Sequence, residues 1–188
     1  MKPVPLFTGL EEANIIETGT NGAGGAWDIH TGLIDGEGLA GTRADVLGKV
    51  KCGVSWIGYT PRAFFYMKLA TTSMVMKMQF AFRTDGHTHQ GKNVKVQVGT
   101  SPQYNASDPV CTEIAQLSGT GLVDYHCNQL IEGQYVIISN DQAVLTICEA
   151  KVFVIDDSEE ANIIQTVTNV PGGRWDFHTI IPFVTFYN

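Results

Sequence analysis

The feature that most constrains this chain is a long-range repeat. Residues 11–31 read EEANIIETGTNGAGGAWDIHT and residues 159–179 read EEANIIQTVTNVPGGRWDFHT, 15 identities in 21 positions at an offset of 148. The repeat divides the chain into an N-terminal extension at 1–10, one module at 11–158 and the start of a second copy at 159–188. A module of that length lies within the ordinary size range of one domain with its own core. The short C-terminal piece cannot bury enough surface to fold alone. It must dock on its own module, dock on another chain or stay loose, and its apolar end (Ile180, Ile181, Phe183, Val184, Phe186, Tyr187) argues against loose. Two arrangements follow. One is a tandem array that breaks off inside its next module. The other is self-association, in which Glu159–Thr179 replaces Glu11–Thr31 in a neighbouring copy.

Hydrophobic residues make up 44% of the chain and charged residues 16%, so a packed core is available and a disordered chain is excluded. No run approaches the roughly 20 apolar residues that span a bilayer, so membrane insertion is not expected. The net charge is −7 and the 12 Lys and Arg are scattered, which argues against a nucleic-acid partner. Twenty Gly and seven Pro, with many Thr and Val and no extended amphipathic helical pattern, point to a β-rich, turn-rich fold. The opening MKPVPLFTGLEEA lacks an apolar core of signal-peptide length, so export would require a leader outside this chain.

Cys52, Cys111, Cys127 and Cys148 form an even set with no C-x-x-C pair and no zinc-like His spacing. Three disulfide pairings are open, as are four reduced thiols. Cys111 and Cys127 enclose the turn formers Ser118-Gly119-Thr120-Gly121, which makes a local bridge plausible and would leave Cys52 for Cys148. Together with the sequon Asn105-Ala106-Ser107, a candidate N-glycosylation site in a polar loop, the cysteines favour a secreted protein.

From Val75 to Arg83 the residues alternate. Met76, Met78, Phe80 and Phe82 lie on one face, and Lys77, Gln79, Ala81 and Arg83 on the other, as in a half-buried strand. Val94, Val96 and Val98 mark the next strand. Gly133–Ser139 and Ala143–Ile155 read as later strands around an Asn140-Asp141-Gln142 turn. Such regular strands with polar loops suggest an all-β, antiparallel sandwich. Most of the visible chemistry sits in the loop Thr84–Asn93. Arg83 buttressed by Asp85 is a planar donor suited to vicinal hydroxyls or a carboxylate, or else a rim salt bridge. His87 and His89 at i, i+2 carry a weak metal signal and read better as solvated surface. No Ser-His-Asp or paired-carboxylate constellation stands out, so catalysis is not indicated.

Several segments are similar to the F-type lectin (fucolectin) family. They are Arg83-Thr84-Asp85 leading into Val94–Gly99, Gly133–Ile138 leading to Leu145-Thr146-Ile147-Cys148-Glu149-Ala150, the Ala13-Asn14-Ile15 opening, the Ile34-Asp35-Gly36 turn and the aromatic pair in Phe64–Leu69. The resemblance covers about residues 11–155, and the Leu-x-x-Cys-Glu ending is its most specific part. It implies a discoidin-like β-sandwich jelly roll that binds L-fucose through loops at one end and holds a structural calcium. It also implies the disulfides Cys52–Cys148 and Cys111–Cys127. The implied calcium ligands are Asp35, Glu37, the Cys148 carbonyl and Glu149, hard oxygen donors suited to that ion.

In the sugar site the resemblance carries over Arg83 and its support Asp85. The family's second basic position falls on Gln90, with Lys92 two residues on; its His position falls near Ser55-Trp56-Ile57; and its adjacent cysteines are replaced by Gly86-His87. Trp56, His87, Gln90 and Lys92 with Arg83 and Asp85 are therefore the candidate residues for a glycan pocket of different make-up, Trp56 offering a face to the C–H side of a sugar. The expected partners are glycans or glycoproteins. The competing expectation is an assembly protein that keeps the sandwich without the sugar.

Overall fold

The computed structural model describes residues 9–21, 30–36, 52–57, 62–83, 87–117 and 121–155. The described residues form an antiparallel β-sandwich of the jelly-roll kind. Its strands are β1 (Leu10–Glu12), β2 (Ile15–Thr20), β3 (Gly53–Trp56), β4 (Ala63–Ala81), β5 (Lys92–Gly99), β6 (Val110–Gln116), β7 (Val123–Asn140), β8 (Val144–Ile147) and β9 (Glu149–Ile155). Seven of them share one sheet in the order β1-β9-β4-β7-β5-β6, with β2 also on β4, and β3 pairs with β8 in a second, two-stranded sheet. Among the described residues no helix is long and apolar enough to cross a membrane.

Two long strands organise the sandwich. β4 and β7 run antiparallel to each other almost end to end, and both pass through a corner where the register breaks between Lys68 and Ser73. On one side of the corner β2 flanks β4 and β5 flanks β7; on the other side β9 takes the free edge of β4 and β1 pairs with β9. The corner has a local cause. Ala70, Thr71 and Thr72 are exposed and offer the core nothing. In β7, Gly133 lies so close to Val98 and the Gly99 carbonyl that a Cβ would be 2.5 Å from one and 2.9 Å from the other. Inward-facing residues of both halves then join one core: Phe65, Met67 and Leu69 with Met78 and Phe80, Val94, Val96 and Val98, Val136 and Ile138, and Val152 and Val154.

Three expectations about strands are corrected. The strand expected at 75–83 is the second half of the longer β4. A bulge between Val75 and Lys77 shifts its phase, so Val75 is fully buried and Met76 only half-buried; the expected alternation begins at Met78. Nor is the end of this strand half-buried, because the Cys52–Cys148 disulfide packs on Ala81 and closes the other face. Finally, Ala143–Ile155 is two strands. At Cys148 the chain is bridged to Cys52, its amide donates to the Ala81 carbonyl at 2.9 Å, and β8 leaves the main sheet for β3.

Both disulfides implied by the resemblance are present, Cys52–Cys148 and Cys111–Cys127. Leu10, expected in the extension, already belongs to β1. Residues 1–8 and 156–188, with the whole of the second repeat copy, lie outside the described residues.

Candidate functional site

The candidate sugar residues gather where β4 ends. Arg83 lies two residues past the end of β4, and the chain returns through a 3₁₀ turn at Thr88–Gly91 into β5, which begins at Lys92. The Arg83 guanidinium is not spread on the surface: the residue is 6% exposed, and Nη1 donates to Gln90 Oε1 at 2.7 Å. The same oxygen accepts from the buried Thr146 hydroxyl at 2.6 Å. Asn140 completes the frame, its Nδ2 donating to the Gln90 carbonyl and the Val144 carbonyl at 3.1 Å each. The turn is closed by the Gln90 amide on the His87 carbonyl at 3.1 Å and by the Leu117 amide on Gly91 at 2.8 Å.

Around this buried frame the other candidates are solvent-facing. His87, His89 and Lys92 are exposed, the two imidazoles meeting edge to face at 5.9 Å. Trp56, 45% exposed, ends β3 directly opposite Val144, two residues along β8 from Thr146. Residues two apart on a strand, and residues opposite in register, share a face. Trp56 therefore stands on the face of the small sheet whose Thr146 hydroxyl reaches Gln90. Asp85 lies outside the described residues. Near the position that corresponds to the family's histidine, Ser55 is fully buried: its hydroxyl accepts from the Phe64 amide at 3.1 Å and donates to Asn21 Oδ1 at 2.5 Å. Asn21 Nδ2 in turn donates to the Trp56 carbonyl at 2.7 Å.

Thr146, Asn140, Ser55 and Asn21 were not among the expected site residues. Asn140 has the composition of a turn residue but is the fully buried end of β7. Its partners are remote in sequence, so no local pattern marks it.

A second cluster forms where the Asp35-Gly36 turn meets the start of β9. Gly32 sits against the Cys52 backbone so closely that a Cβ would be 2.8 Å from its carbonyl carbon, and Leu33 is buried in the core. These contacts anchor residues 30–36. Gly36, at φ +73, then turns its amide onto Glu149 Oε2 at 2.8 Å. Glu149 is 4% exposed. Burial pushes its carboxyl above the ordinary range, the Gly36 amide opposes that shift, and the nearby Asp35 carboxylate adds to it. The sign is that of a carboxyl that folds more easily neutral. Its contribution to stability is present below the ordinary carboxyl value and is lost as pH rises through the higher folded value. Cys148 precedes Glu149, while Glu37 lies outside the described residues. Among the described residues no group of three or more His, Cys, Asp or Glu side chains converges.

The sequon is exposed and folded as a turn. Asn105 Oδ1 accepts from the Ser107 amide at 3.1 Å and its hydroxyl at 2.7 Å, while Nδ2 donates to Asp108 Oδ1 at 3.0 Å.

No protein-family profile and no curated protein sequence matches this chain. Solved structures do. The lectin domain of lectinolysin, solved with Lewis B antigen, is 17% identical over 74% of this chain and 93% of its own, with a TM-score of 0.55. The serum fucolectin of striped bass (Morone saxatilis) is 18% identical over 82% of this chain, with a TM-score of 0.52. Truncated AlyQ, with its CBM32 and alginate lyase domains, is 13% identical over 79% of this chain, with a TM-score of 0.53. This chain spans 48% of the striped bass chain and 34% of the AlyQ chain. The fold is thus the discoidin-like β-sandwich on which lectin and carbohydrate-binding modules are built. Within that class the chain has the fold of the F-type lectins and fucose-binding modules.

Proposed function

We propose that this chain is a secreted, calcium-stabilised carbohydrate-binding module without catalytic activity, whose ligands are fucosylated or related glycans. The observation that carries the reading is the Arg83 guanidinium held by Gln90 on the turn that also presents His87 and Lys92, with Trp56 on the face of the small sheet that carries Thr146, on a fold also seen in lectin domains. The held guanidinium supplies planar donors for ring hydroxyls. Trp56 and His87 supply faces for stacking, and Asp85 is the support for Arg83 that the sequence suggests. Two disulfides suit an oxidising compartment, and Asn105 is the acceptor for an N-linked glycan in this reading. A single shallow sugar site binds weakly, and a repeated module gains avidity from its neighbours.

Calorimetric titration of L-fucose and fucosylated oligosaccharides, with calcium present, tests the assignment. Saturable heat is expected for the wild type and is expected to vanish in Trp56→Ala and in Arg83→Ala, each checked for folding by circular dichroism. An absence of heat with every fucosylated ligand would sink the fucose reading. A second reading then takes over, a scaffold that keeps the sandwich and self-associates. It is favoured by one observation, that Arg83 is 6% exposed and already directs Nη1 at Gln90.

The calcium assignment rests on Asp35 and Glu149. A buried carboxyl beside a second carboxylate is a donor set that a hard cation stabilises, because the ion offsets both the desolvation and the like-charge repulsion. Asp35, Glu149 and the Cys148 carbonyl would hold the ion, with Glu37 as a further candidate; its chemistry there is structural. Calcium in large excess over its dissociation constant is expected to raise the melting temperature by roughly 5–10 °C. Glu149→Gln should lose most of that rise in a thermal-shift assay. An equal rise in wild type and variant would remove Glu149 from the site.

A further inference from the structure

We infer that the edge occupied by β1 and β2 is a docking seat for either copy of the repeated segment, and that residues 158–169 can replace residues 10–21 on the same molecule. The seat itself is described. β1 pairs with β9, placing Leu10 opposite Ile155, Glu11 opposite Val154 and Glu12 opposite Phe153. β2 pairs with the first half of β4, and Ala13 and Ile15 pack against the core between the two.

The repeat offset of 148 converts this register into a prediction for the second copy, which lies outside the described residues. In the same seat Ser158 would lie opposite Ile155, Glu159 opposite Val154 and Glu160 opposite Phe153. Only Asp156 and Asp157 then separate Ile155 from its partner. A turn of two to four residues built from Asp and Ser lies within the range of β-hairpin loops. The chain can therefore fold straight back from β9 into the seat, with no second molecule required.

The side-chain contacts support the exchange almost throughout. Lys151 Nζ meets Glu12 Oε2 at 2.8 Å, and Glu160 keeps that carboxylate. Thr18 Oγ1 and His30 Nδ1 lie 2.9 Å apart, and both residues recur as Thr166 and His178. Asn21, which bridges Ser55 and the Trp56 carbonyl, recurs as Asn169. Glu17, which accepts from the Tyr66 hydroxyl at 2.9 Å, becomes Gln165, whose amide oxygen also accepts. Two positions discriminate: Gln165 loses the ion pair of Glu17 with Lys68 at 4.0 Å, and at Gly19, where the second copy carries Val167, a Cβ would collide with the Tyr66 ring. Val167 and Tyr66 thus bias the seat toward the first copy, and the remaining contacts make the second a competitor.

Hydrogen exchange read by mass spectrometry on the full chain tests this. In the wild type, peptides over 10–21 should be protected and peptides over 158–169 should exchange much faster. In Gly19→Val with Val167→Gly the bias is reversed, and exchange over 158–169 should slow by roughly tenfold or more while 10–21 becomes unprotected. Protection that stays on 10–21 in both proteins would overturn the inference. So would protection of 158–169 accompanied by a dimer mass in light scattering, since that places the segment on a neighbour. Should the double variant fail to fold, Val167→Gly alone leaves β1 and β2 native. Protection over 158–169 should then rise above the wild-type level, and no change would equally overturn the inference.

Discussion

Replacing Cys52 and Cys148 together by alanine is expected to lower the unfolding free energy by roughly 5 kcal/mol, against roughly 3 kcal/mol for Cys111 and Cys127. The difference comes from chain entropy: the first bridge closes a sequence separation of 96 and the second a separation of 16. The first bridge also has local work in the fold. It fastens the strand that leads to Trp56 onto the junction of β8 and β9, packs on Ala81 and precedes Glu149 in the chain. Its loss should therefore loosen the Asp35-Gly36 turn over Glu149 as well as destabilise the whole. Urea denaturation of the two double variants checks the ranking, and any calcium-dependent rise in melting temperature should shrink in the Cys52/Cys148 variant alone. Equal costs for the two bridges would mean that loop length does not govern their contribution here.

Whatever rested on short-range periodicity was legible in the sequence. Met78, Phe80 and Phe82 alternate because each faces the core along the last stretch of β4 and the residue just past it, and Val94, Val96 and Val98 do the same in β5. What bends was not legible. Ala70-Thr71-Thr72 looks like the end of a strand because none of these residues is buried, yet the backbone continues around the corner and keeps β7 as its partner on both sides. The bulge at Val75–Lys77 hides in an apparently perfect alternation, since Met76 is apolar whichever way it points. The resemblance supplied the disulfide pairs, which spacing alone left open. It also drew attention to Asp35 and Glu149, whose neighbourhood depends on Gly32 lying against Cys52. The partners of Arg83 escaped local reading because they are chosen across the fold. Thr146 and Asn140 reach residue 90 from 56 and 50 positions away.

That long-range choice makes Gln90 the residue whose replacement should surprise most. A glutamine on a surface turn is ordinarily worth a few tenths of a kcal/mol, yet Gln90→Leu is expected to cost roughly 2–4 kcal/mol. Its Oε1 is the shared acceptor for Arg83 Nη1 and the Thr146 hydroxyl, and both donors are buried. Leucine fills the volume and accepts nothing, so a desolvated guanidinium loses one of its bonds and a buried hydroxyl loses its acceptor on the turn. Gln90→Glu keeps the acceptor and adds a charge opposite to that of Arg83, so it should be tolerated or stabilising near neutral pH. A double-mutant cycle apportions the rest. In a Thr146→Val background the hydroxyl has no bond to lose, and Gln90→Leu should cost about 1 kcal/mol less than in the wild type. The cycle also separates the two functional readings. If Gln90→Leu carries the full penalty, the pair is a structural latch, and the sugar must be met by Trp56, His87 and Lys92 around it. If it leaves stability unchanged but abolishes glycan heat, the Arg83–Gln90 bond holds little of the fold together, and the guanidinium serves the ligand.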